Sequence, residues 1–207
     1  VNNLGIDHDI IEIQSIYDQF MGQLQALFED RPFNVAEENL QSRSRGVLLM
    51  AISNKLGHIL LNTSNKSELA VGYGTLYGDM CGGLSVIGDL YKTEVFELCR
   101  HLNKDGEVIP ENIITKPPSA ELRPNQKDSD SLPDYDILDS ILFEYIENRK
   151  GPKEIIEMGH DAQLVERTLG LVNRNEFKRY QTAPVLRIST KAFGMGRRLP
   201  IVAKYLN

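Results

Sequence analysis

The sequence is poor in the residues that bind zinc or form disulfides. Only two cysteines, Cys81 and Cys99, occur among 207 residues, and two thiols do not make the disulfide framework of a small secreted protein. The four histidines are scattered, and neither an HExxH nor a CxxC motif is present, which argues against a zinc site. Cys81 lies in a glycine-rich segment with no histidine nearby, so a nucleophilic role has little support. We expect both thiols to be reduced.

Long apolar runs and a Walker A lysine motif are also absent. No segment reaches the roughly 18 apolar residues that a membrane-spanning helix needs. The first residues, Val1-Asn-Asn-Leu-Gly, lack the basic and apolar regions of a signal peptide. We therefore predict a cytoplasmic protein with neither a membrane nor a nucleic-acid partner. The chain does not begin with methionine and opens close to a predicted strand, which suggests a fragment.

The charge is unevenly distributed along a chain of ordinary composition. Hydrophobic residues make up 41% and charged residues 25%, as in a soluble domain with a true core. The net charge is -6, but residues 174–207 carry +7 and the remaining residues -13. The basic tail is either a solvated end or a segment that faces an anion or an acidic surface. Composition alone does not separate these two interpretations.

Hydrophobic periodicity predicts strands and helices that alternate. Short apolar strands are predicted at 9–13, 58–61 and 84–87, with a helix capped by Ser15 and ending near Phe28, and further helices at 35–56 and 91–102. Gly57 is expected to end the second helix in a left-handed conformation. This order predicts a doubly wound parallel α/β sheet with helices on both faces and a ligand site at the carboxyl ends of the strands.

The predicted organisation has three parts. Residues 1–114 form the α/β core, and residues 115–134, which contain four prolines, form a mobile loop. Residues 135–207 form a helical segment, with helices predicted at 135–149, 152–158 and 161–173, followed by the basic tail.

Asn39 and Arg43 are four residues apart and share one face of the second predicted helix. Such a pair can hold a phosphate or a carboxylate, whereas Arg45 is predicted to face elsewhere. The alternative is that Arg43 forms an ion pair with Glu37, Glu38 or another surface acid.

Glu68 and Asp79 lie near predicted strand ends, where carboxylates and a phosphate could hold a hard cation. The alternative is that both are ordinary surface acids. The run Gly72–Gly78 is one residue too long for a dinucleotide-binding fingerprint, and it leaves a helix instead of opening one. We interpret it as a loop that turns tightly.

Several motifs, in order along nearly the whole chain, resemble the synthetase domain of the NAD synthetase family. The helix of the family matches Asn39-Leu-Gln-Ser-Arg43-Ser-Arg45, its nucleotide turn matches Thr63-Ser-Asn-Lys-Ser-Glu68, and later signatures match Tyr77-Gly-Asp79, Lys92 and Pro118-Ser-Ala-Glu-Leu122. The tail from Asn175 to Ile201 is similar to the glutamine-dependent branch. The resemblance implies a fold of the ATP-pyrophosphatase type.

The resemblance also implies a reaction and a role for each matching residue. Deamido-NAD would be amidated to NAD through an adenylate, with release of AMP and pyrophosphate and with Mg²⁺ as cofactor. The implied roles are ATP contacts for Thr63, Lys92 and Ser119, deamido-NAD contacts for Asn39, Arg43, Asp79 and Lys178, catalysis for Asp79 and Lys92, and metal binding for Glu68.

Two parts of the family pattern are absent from these residues. The Ser-Gly-Gly-x-Asp-Ser pyrophosphate loop does not occur, and neither does a glutaminase domain that would supply ammonia. The resemblance thus predicts an amino-terminally truncated domain that lacks its first strand or strands and is inactive alone. Since the sites of the family lie between synthetase subunits, it also predicts a homo-oligomer. Another ATP-pyrophosphatase ligase, such as a GMP synthetase, or a non-catalytic binding module remain alternatives.

Overall fold

A computed structural model describes residues 1–202, in which helices surround a small parallel sheet. The helices are α1 Gln14–Phe28, α2 Val35–Leu56, α3 Lys66–Val71, α4 Lys92–Leu102, α5 Glu111–Thr115, α6 Tyr135–Ile146, α7 Pro152–Glu157, α8 Ala162–Arg174 and α9 Glu176–Arg179. The strands are β1 Leu61–Asn62 and β2 Leu84–Ser85, and single 3₁₀ turns occur at Asn2–Leu4 and Asp128–Asp130.

The sheet brings two distant parts of the chain side by side. β1 and β2 are parallel, with Leu61 opposite Leu84 and Asn62 opposite Ser85. Val185, from the basic tail, forms a further parallel bridge with Ser85. The chain is therefore an α/β protein with a small parallel sheet, and its two strands end at the same edge.

Two local predictions for the first half of the chain are wrong, and a third is right only in part. Residues 9–13 do not form a strand, because no neighbouring strand pairs with them within residues 1–202. The strands predicted at 58–61 and 84–87 are present but contain only two residues each. Ser15 does not cap α1, which begins at Gln14 after Ile13 with no side-chain cap.

The long helices follow the predicted periodicity closely. α2 begins and ends at the predicted residues, with Gly57 in the left-handed conformation at φ 70°. Asn34 caps its first turn, accepting a hydrogen bond from the backbone N–H of Ala36 at 2.8 Å. α4, α6, α7 and α8 begin within one residue of their predicted starts. α5 and α9 were not predicted, since five and four residues do not establish a helical period.

The apolar core lies among α3, α6, α7 and α8. Leu138, Ile141 and Leu142 of α6 are fully buried, as are Val165 and Leu169 of α8. α1 buries no residue completely, and the buried residues of α2 are polar or glycine. The first two helices therefore leave apolar side chains on the surface.

The basic tail is in part internal. Arg179 is 5% exposed, and its guanidinium pairs with Glu176 at 2.7 Å and donates hydrogen bonds to the carbonyls of Leu69 and Ala70. A solvated end is thus the wrong interpretation for this part of the tail. Lys204, the basic residue nearest the carboxyl terminus, lies outside the described residues.

The proline-rich segment is mostly irregular, as predicted. It contains the 3₁₀ turn at Asp128–Asp130, and the backbone N–H of Asp128 bonds to Pro118 O at 2.9 Å. Its mobility remains a prediction. None of the helices within residues 1–202 combines the length and apolar character needed to cross a membrane.

Candidate active site

A cleft of about 670 Å³ opens beside β1 and the residues that follow its carboxyl end. Its walls come from α2, the loop 72–81, the segment 119–128 and α9. Seven of the eight predicted site residues line it: Asn39, Thr63, Glu68, Asp79, Lys92, Ser119 and Lys178. The fold thus brings together residues that are up to 139 positions apart in the sequence.

Arg43 is the predicted residue that does not line the cleft. Its Nε donates a hydrogen bond to Leu76 O at 3.2 Å, behind the cleft wall. Arg45, predicted to face elsewhere, lines the cleft instead, because the lining stripe of α2 runs through Asn39, Ser42 and Gly46 and passes beside Arg45. The ion pair of Arg43 with Glu37 or Glu38 is not among the salt bridges within residues 1–202. A role for Arg43 with substrate stays a prediction.

Asp79 is fixed where α2 packs closely against the glycine-rich loop. Its Oδ1 accepts hydrogen bonds from Ser42 Oγ at 2.7 Å and from the backbone N–H of Thr75 at 2.8 Å. A β-carbon at Gly78 would lie 2.3 Å from Ser42 Oγ, so only glycine permits this approach. Tyr77 adopts φ 66°, a costly conformation for a residue with a side chain, one position before Gly78.

A second set of hydrogen bonds holds the same loop from the other side. Thr75 Oγ1 donates to Asn39 Oδ1 at 2.7 Å, and Lys178 Nζ donates to the carbonyls of Gly72 and Gly74, each at 2.7 Å. Burial lowers the pKa of Lys178, against the opposing attraction of Asp79. Lys178 therefore lines the cleft from a half-buried position in which desolvation opposes its positive charge.

Glu68 and Lys92 face each other across the cleft floor. A reciprocal cap at the start of α3 holds Glu68: Asn65 Oδ1 accepts from its backbone N–H at 2.9 Å, and its Oε2 accepts from the backbone N–H of Asn65 at 3.2 Å. Lys92 Nζ lies 3.3 Å from Glu68 Oε1. Burial raises the pKa of Glu68, and the charge of Lys92 and the Asn65 N–H only partly offset this effect.

Thr63 and Ser119 add two hydroxyl-bearing residues to the lining of the cleft. Thr63 follows β1 directly and is exposed to the cleft. Ser119 opens the segment that covers the cleft, and its Oγ accepts a hydrogen bond from the backbone N–H of Glu121 at 3.1 Å. Both hydroxyls lie in a cleft that also contains two lysines, an arrangement that suits a phosphate.

Asp128 is a cleft residue that sequence reasoning missed. It is 4% exposed, and its Oδ2 accepts a hydrogen bond from Tyr135 OH at 2.8 Å. Its Oδ1 is buried and has no hydrogen-bond partner, and its charge raises the pKa of Glu68. No pattern marked this residue, because it is one of several acids in a proline-rich loop.

Glu68 and Asp128 together fit part of a magnesium site. Hard cations prefer carboxylate oxygens, and the free Oδ1 of Asp128 is such an oxygen. Within residues 1–202, no group of three or more His, Cys, Asp or Glu residues is arranged to hold a metal. A bound magnesium ion would therefore need further oxygens, such as those of a phosphate.

An α/β fold with lysines, hydroxyls and carboxylates at its strand ends is typical of a nucleotide-binding enzyme domain. The family model "NAD synthase" matches residues 1–182. A glutamine-dependent NAD(+) synthetase of Synechocystis is 55% identical over 203 residues, which are 98% of this chain and 36% of that relative. This chain belongs to the NAD synthase family.

Two solved structures support the assignment. A glutamine-dependent NAD+ synthetase from Acinetobacter baumannii, in complex with ADP, is 48% identical with a TM-score of 0.55, covering 97% of this chain and 36% of that one. An NH3-dependent NAD synthetase from Campylobacter jejuni is 30% identical with a TM-score of 0.66, covering 90% and 68%. The resemblance to the glutamine-dependent branch is confirmed. The chain spans little more than a third of the length of those glutamine-dependent relatives.

Proposed function

We propose that this chain is the synthetase part of an enzyme that converts deamido-NAD to NAD. The nicotinate carboxylate attacks the α-phosphorus of ATP, and pyrophosphate leaves. Ammonia then attacks the acyl carbon of the adenylate, AMP leaves with the C–O bond electrons, and the nitrogen loses a proton to give the amide. The observation that carries the proposal is the single cleft that gathers seven of the eight family-matched residues.

The predicted site residues form two groups, one at the ATP end of the cleft and one at the deamido-NAD end. Thr63, Lys92 and Ser119 bind and neutralise the phosphates of ATP, where a lysine and hydroxyls act as donors. Asn39, Asp79 and Lys178 orient deamido-NAD, with the loop they brace held against α2. Arg43 acts with them only if substrate reaches its face of α2. The catalytic contribution is positioning and charge neutralisation.

Magnesium belongs at the ATP end of this scheme. Glu68, with Asp128 beside it, would hold the ion, and Mg²⁺ would supply charge neutralisation for the phosphate groups. The raised pKa of Glu68 shows that burial opposes its ionisation, so a cation there would stabilise the charged form.

The same proposal covers the sheet, the ammonia source, the oligomeric state and the cellular location of the whole enzyme. We propose that the small sheet belongs to a larger doubly wound sheet of the ATP-pyrophosphatase type whose first strands are absent here. A glutaminase domain would supply ammonia, and synthetase domains would pair as a homo-oligomer. The two free cysteines support a cytoplasmic location.

Binding experiments with the purified chain test the proposal. We expect deamido-NAD, but not xanthylate, to protect the chain against heat, because binding to the folded state raises stability. Protection by xanthylate instead would favour a GMP synthetase, and no protection by either would favour a non-catalytic module. Steady NAD formation by this chain would contradict the prediction that it is inactive alone.

The Glu68→Gln variant tests the metal assignment. Removing the charge should weaken Mg²⁺-dependent ATP binding by about tenfold or more, since a charge-assisted contact is worth about 1.5–3 kcal/mol. Calorimetric titration with ATP at limiting and saturating Mg²⁺ measures this. Glu97→Gln, on the exposed face of α4, is the matched control and should bind like the wild type. An unchanged Mg²⁺ dependence in Glu68→Gln would refute the assignment.

A further inference from the structure

A buried ionic cluster lies behind the cleft and takes no part in the amidation scheme. The Lys66 side chain is fully buried, and its Nζ lies 2.8 Å from Asp89 Oδ1. It also bonds to Glu147 Oε1 and, at 2.9 Å, to Ser189 Oγ. Its ammonium lies 5.0 Å from the centre of the Tyr91 ring. One cation and two carboxylates thus share a site in which the Lys66 and Asp89 side chains are fully buried and the Glu147 side chain is 7% exposed.

The carboxyl-terminal tail closes this cluster as an extended segment, residues 184–190, which we call the strap. The strap first adds to the sheet: the Ser85 N–H donates to Pro184 O at 2.8 Å, and the Leu186 N–H donates to Ser85 O at 3.0 Å. It then meets Asp89, whose Oδ2 accepts from the backbone N–H groups of Ile188 at 2.8 Å and Ser189 at 2.6 Å.

The strap reaches all three charged members of the cluster. Ser189 Oγ donates to Asp89 Oδ1 at 2.8 Å while it accepts from Lys66, and Thr190 Oγ1 donates to Glu147 Oε2 at 2.7 Å. Each carboxylate therefore has partners both in the core and in the strap. Buried charges need such ion pairs and hydrogen bonds, because an unpaired charge in such a site is strongly unfavourable.

The cluster is also continuous with the ATP end of the cleft. Lys66 belongs to the turn 63–68 that carries Thr63 and Glu68, and Asp89 precedes Lys92 by three residues. The two segments are joined directly, because the Lys66 N–H donates to Leu90 O at 2.7 Å and the Lys92 N–H donates to Ser67 Oγ at 2.9 Å. A shift of Lys66 or Asp89 would therefore displace the residues that face ATP.

We propose that the strap positions the ATP end of the cleft through the buried cluster, with Lys66, Asp89 and Ser189 as positioning residues. None of the three lines the cleft. The proposal rests on the proposed function in one respect, namely that the turn 63–68 and Lys92 hold ATP. It also assigns a role to the tail, because Ser189 and Thr190 complete a cluster whose charged members lie between 43 and 123 residues earlier in the chain.

The Ser189→Ala variant tests the proposal with little risk to folding. It removes the hydroxyl that joins Lys66 to Asp89 but leaves the charges paired. We expect the Kd for Mg²⁺–ATP to rise by about three- to tenfold, the effect of one or two ordinary hydrogen bonds. The Kd for deamido-NAD should stay unchanged, because Asn39 and Lys178 are held by other contacts. Met195→Ala, 95% exposed in the same tail, is the matched control.

Hydrogen–deuterium exchange supplies a readout that needs no nucleotide. In Ser189→Ala, peptides covering 63–69 should exchange about three- to tenfold faster than in the wild type, while peptides from α8 should not change. Lys66→Met should show the same pattern more strongly if it folds.

The outcomes separate the two proposals. Equal weakening of ATP and deamido-NAD binding, or unchanged exchange over 63–69, would overturn the positioning role. If the wild type binds neither nucleotide, the proposed function fails, and the exchange measurement still decides whether the strap holds the turn.

Discussion

At the scale of single residues, hydrogen bonds decide which polar groups of the cleft can meet a ligand. Asp79 Oδ1 accepts hydrogen bonds from Ser42 and Thr75, which fix the carboxylate. Lys178 donates two hydrogen bonds to backbone carbonyls. Asp128 keeps a buried oxygen with no partner. Asp128 thus offers an unused acceptor oxygen, whereas Asp79 and Lys178 can meet a ligand only with the groups that bracing the loop leaves unused.

Asp89 allows a prediction about pH at this scale. Burial alone would raise its pKa, but hydrogen bonds from Lys66, Ser189 and Ile188 bring it below the ordinary value of 3.8. Because the folded pKa lies below the unfolded one, the carboxylate stabilises the fold above about pH 4. This contribution is lost as the pH falls through the folded pKa.

We therefore expect Asp89→Asn to lower the free energy of unfolding at pH 7 by about 1–3 kcal/mol. The difference from the wild type should shrink toward pH 3. Urea denaturation at several pH values measures both quantities. Asp105→Asn, at an exposed turn, should change neither. A difference for Asp89→Asn that does not depend on pH would contradict the assignment of charge as the cause.

At the scale of elements, the short helix α3 depends on its cap more than on its length. Six residues are too few for an isolated helix, and five of them are buried in the core. The reciprocal cap between Asn65 and Glu68 both starts the helix and aims Glu68 at the cleft. α2 carries a similar cap, formed by Asn34 and Glu37, and neither of these two residues lines the cleft.

This pair of caps offers a matched comparison. Asn65→Ala and Asn34→Ala should each lower the free energy of unfolding by about 1 kcal/mol, the usual cost of a lost cap. Only Asn65→Ala should weaken Mg²⁺–ATP binding, because it also releases Glu68. Denaturation and calorimetric titration of both variants separate the effects. Equal ATP affinities in the two variants would show that the cap does not orient Glu68.

At the scale of the whole molecule, α1 and α2 leave an apolar surface. Phe20 and Leu27 of α1 and Val47 and Leu56 of α2 are 41–69% exposed. Their hydrophobic periodicity predicts burial, but among the helices and strands within residues 1–202 these two helices contact mainly each other, and α2 packs otherwise against the loop 72–81. Exposed apolar side chains that are grouped on two adjacent helices favour self-association.

We expect the purified chain to self-associate at micromolar concentration, with a second copy of the chain covering this surface. Val47→Lys should shift the sedimentation profile toward monomer, since a charge cannot be buried there without a partner. Ile137→Lys, at a comparably exposed position on α6, should leave the profile unchanged. A monomeric wild-type chain would count against the surface as a self-association site.

Much of the protein follows from the sequence because the signals are local. The helical period and Gly57 place α2 to the residue, since both act within a few turns of chain. The order of motifs identified the family and seven residues that line the cleft, because such motifs carry fixed spacing. The strand predicted at 9–13 failed because a strand depends on a partner that local patterning does not supply.

The remaining features arise from contacts between distant segments. Arg45 lines the cleft and Arg43 does not, which is the reverse of the prediction, because Arg43 donates a hydrogen bond to the carbonyl of Leu76 in the loop. Asp128 joins Glu68 from a loop 60 residues later, and the strap reaches Lys66 from more than 120 residues later. The sequence by itself determined the family, the longer helices and seven residues that line the cleft. The tertiary structure decided which charges are buried together, because desolvation depends on what surrounds a group in space.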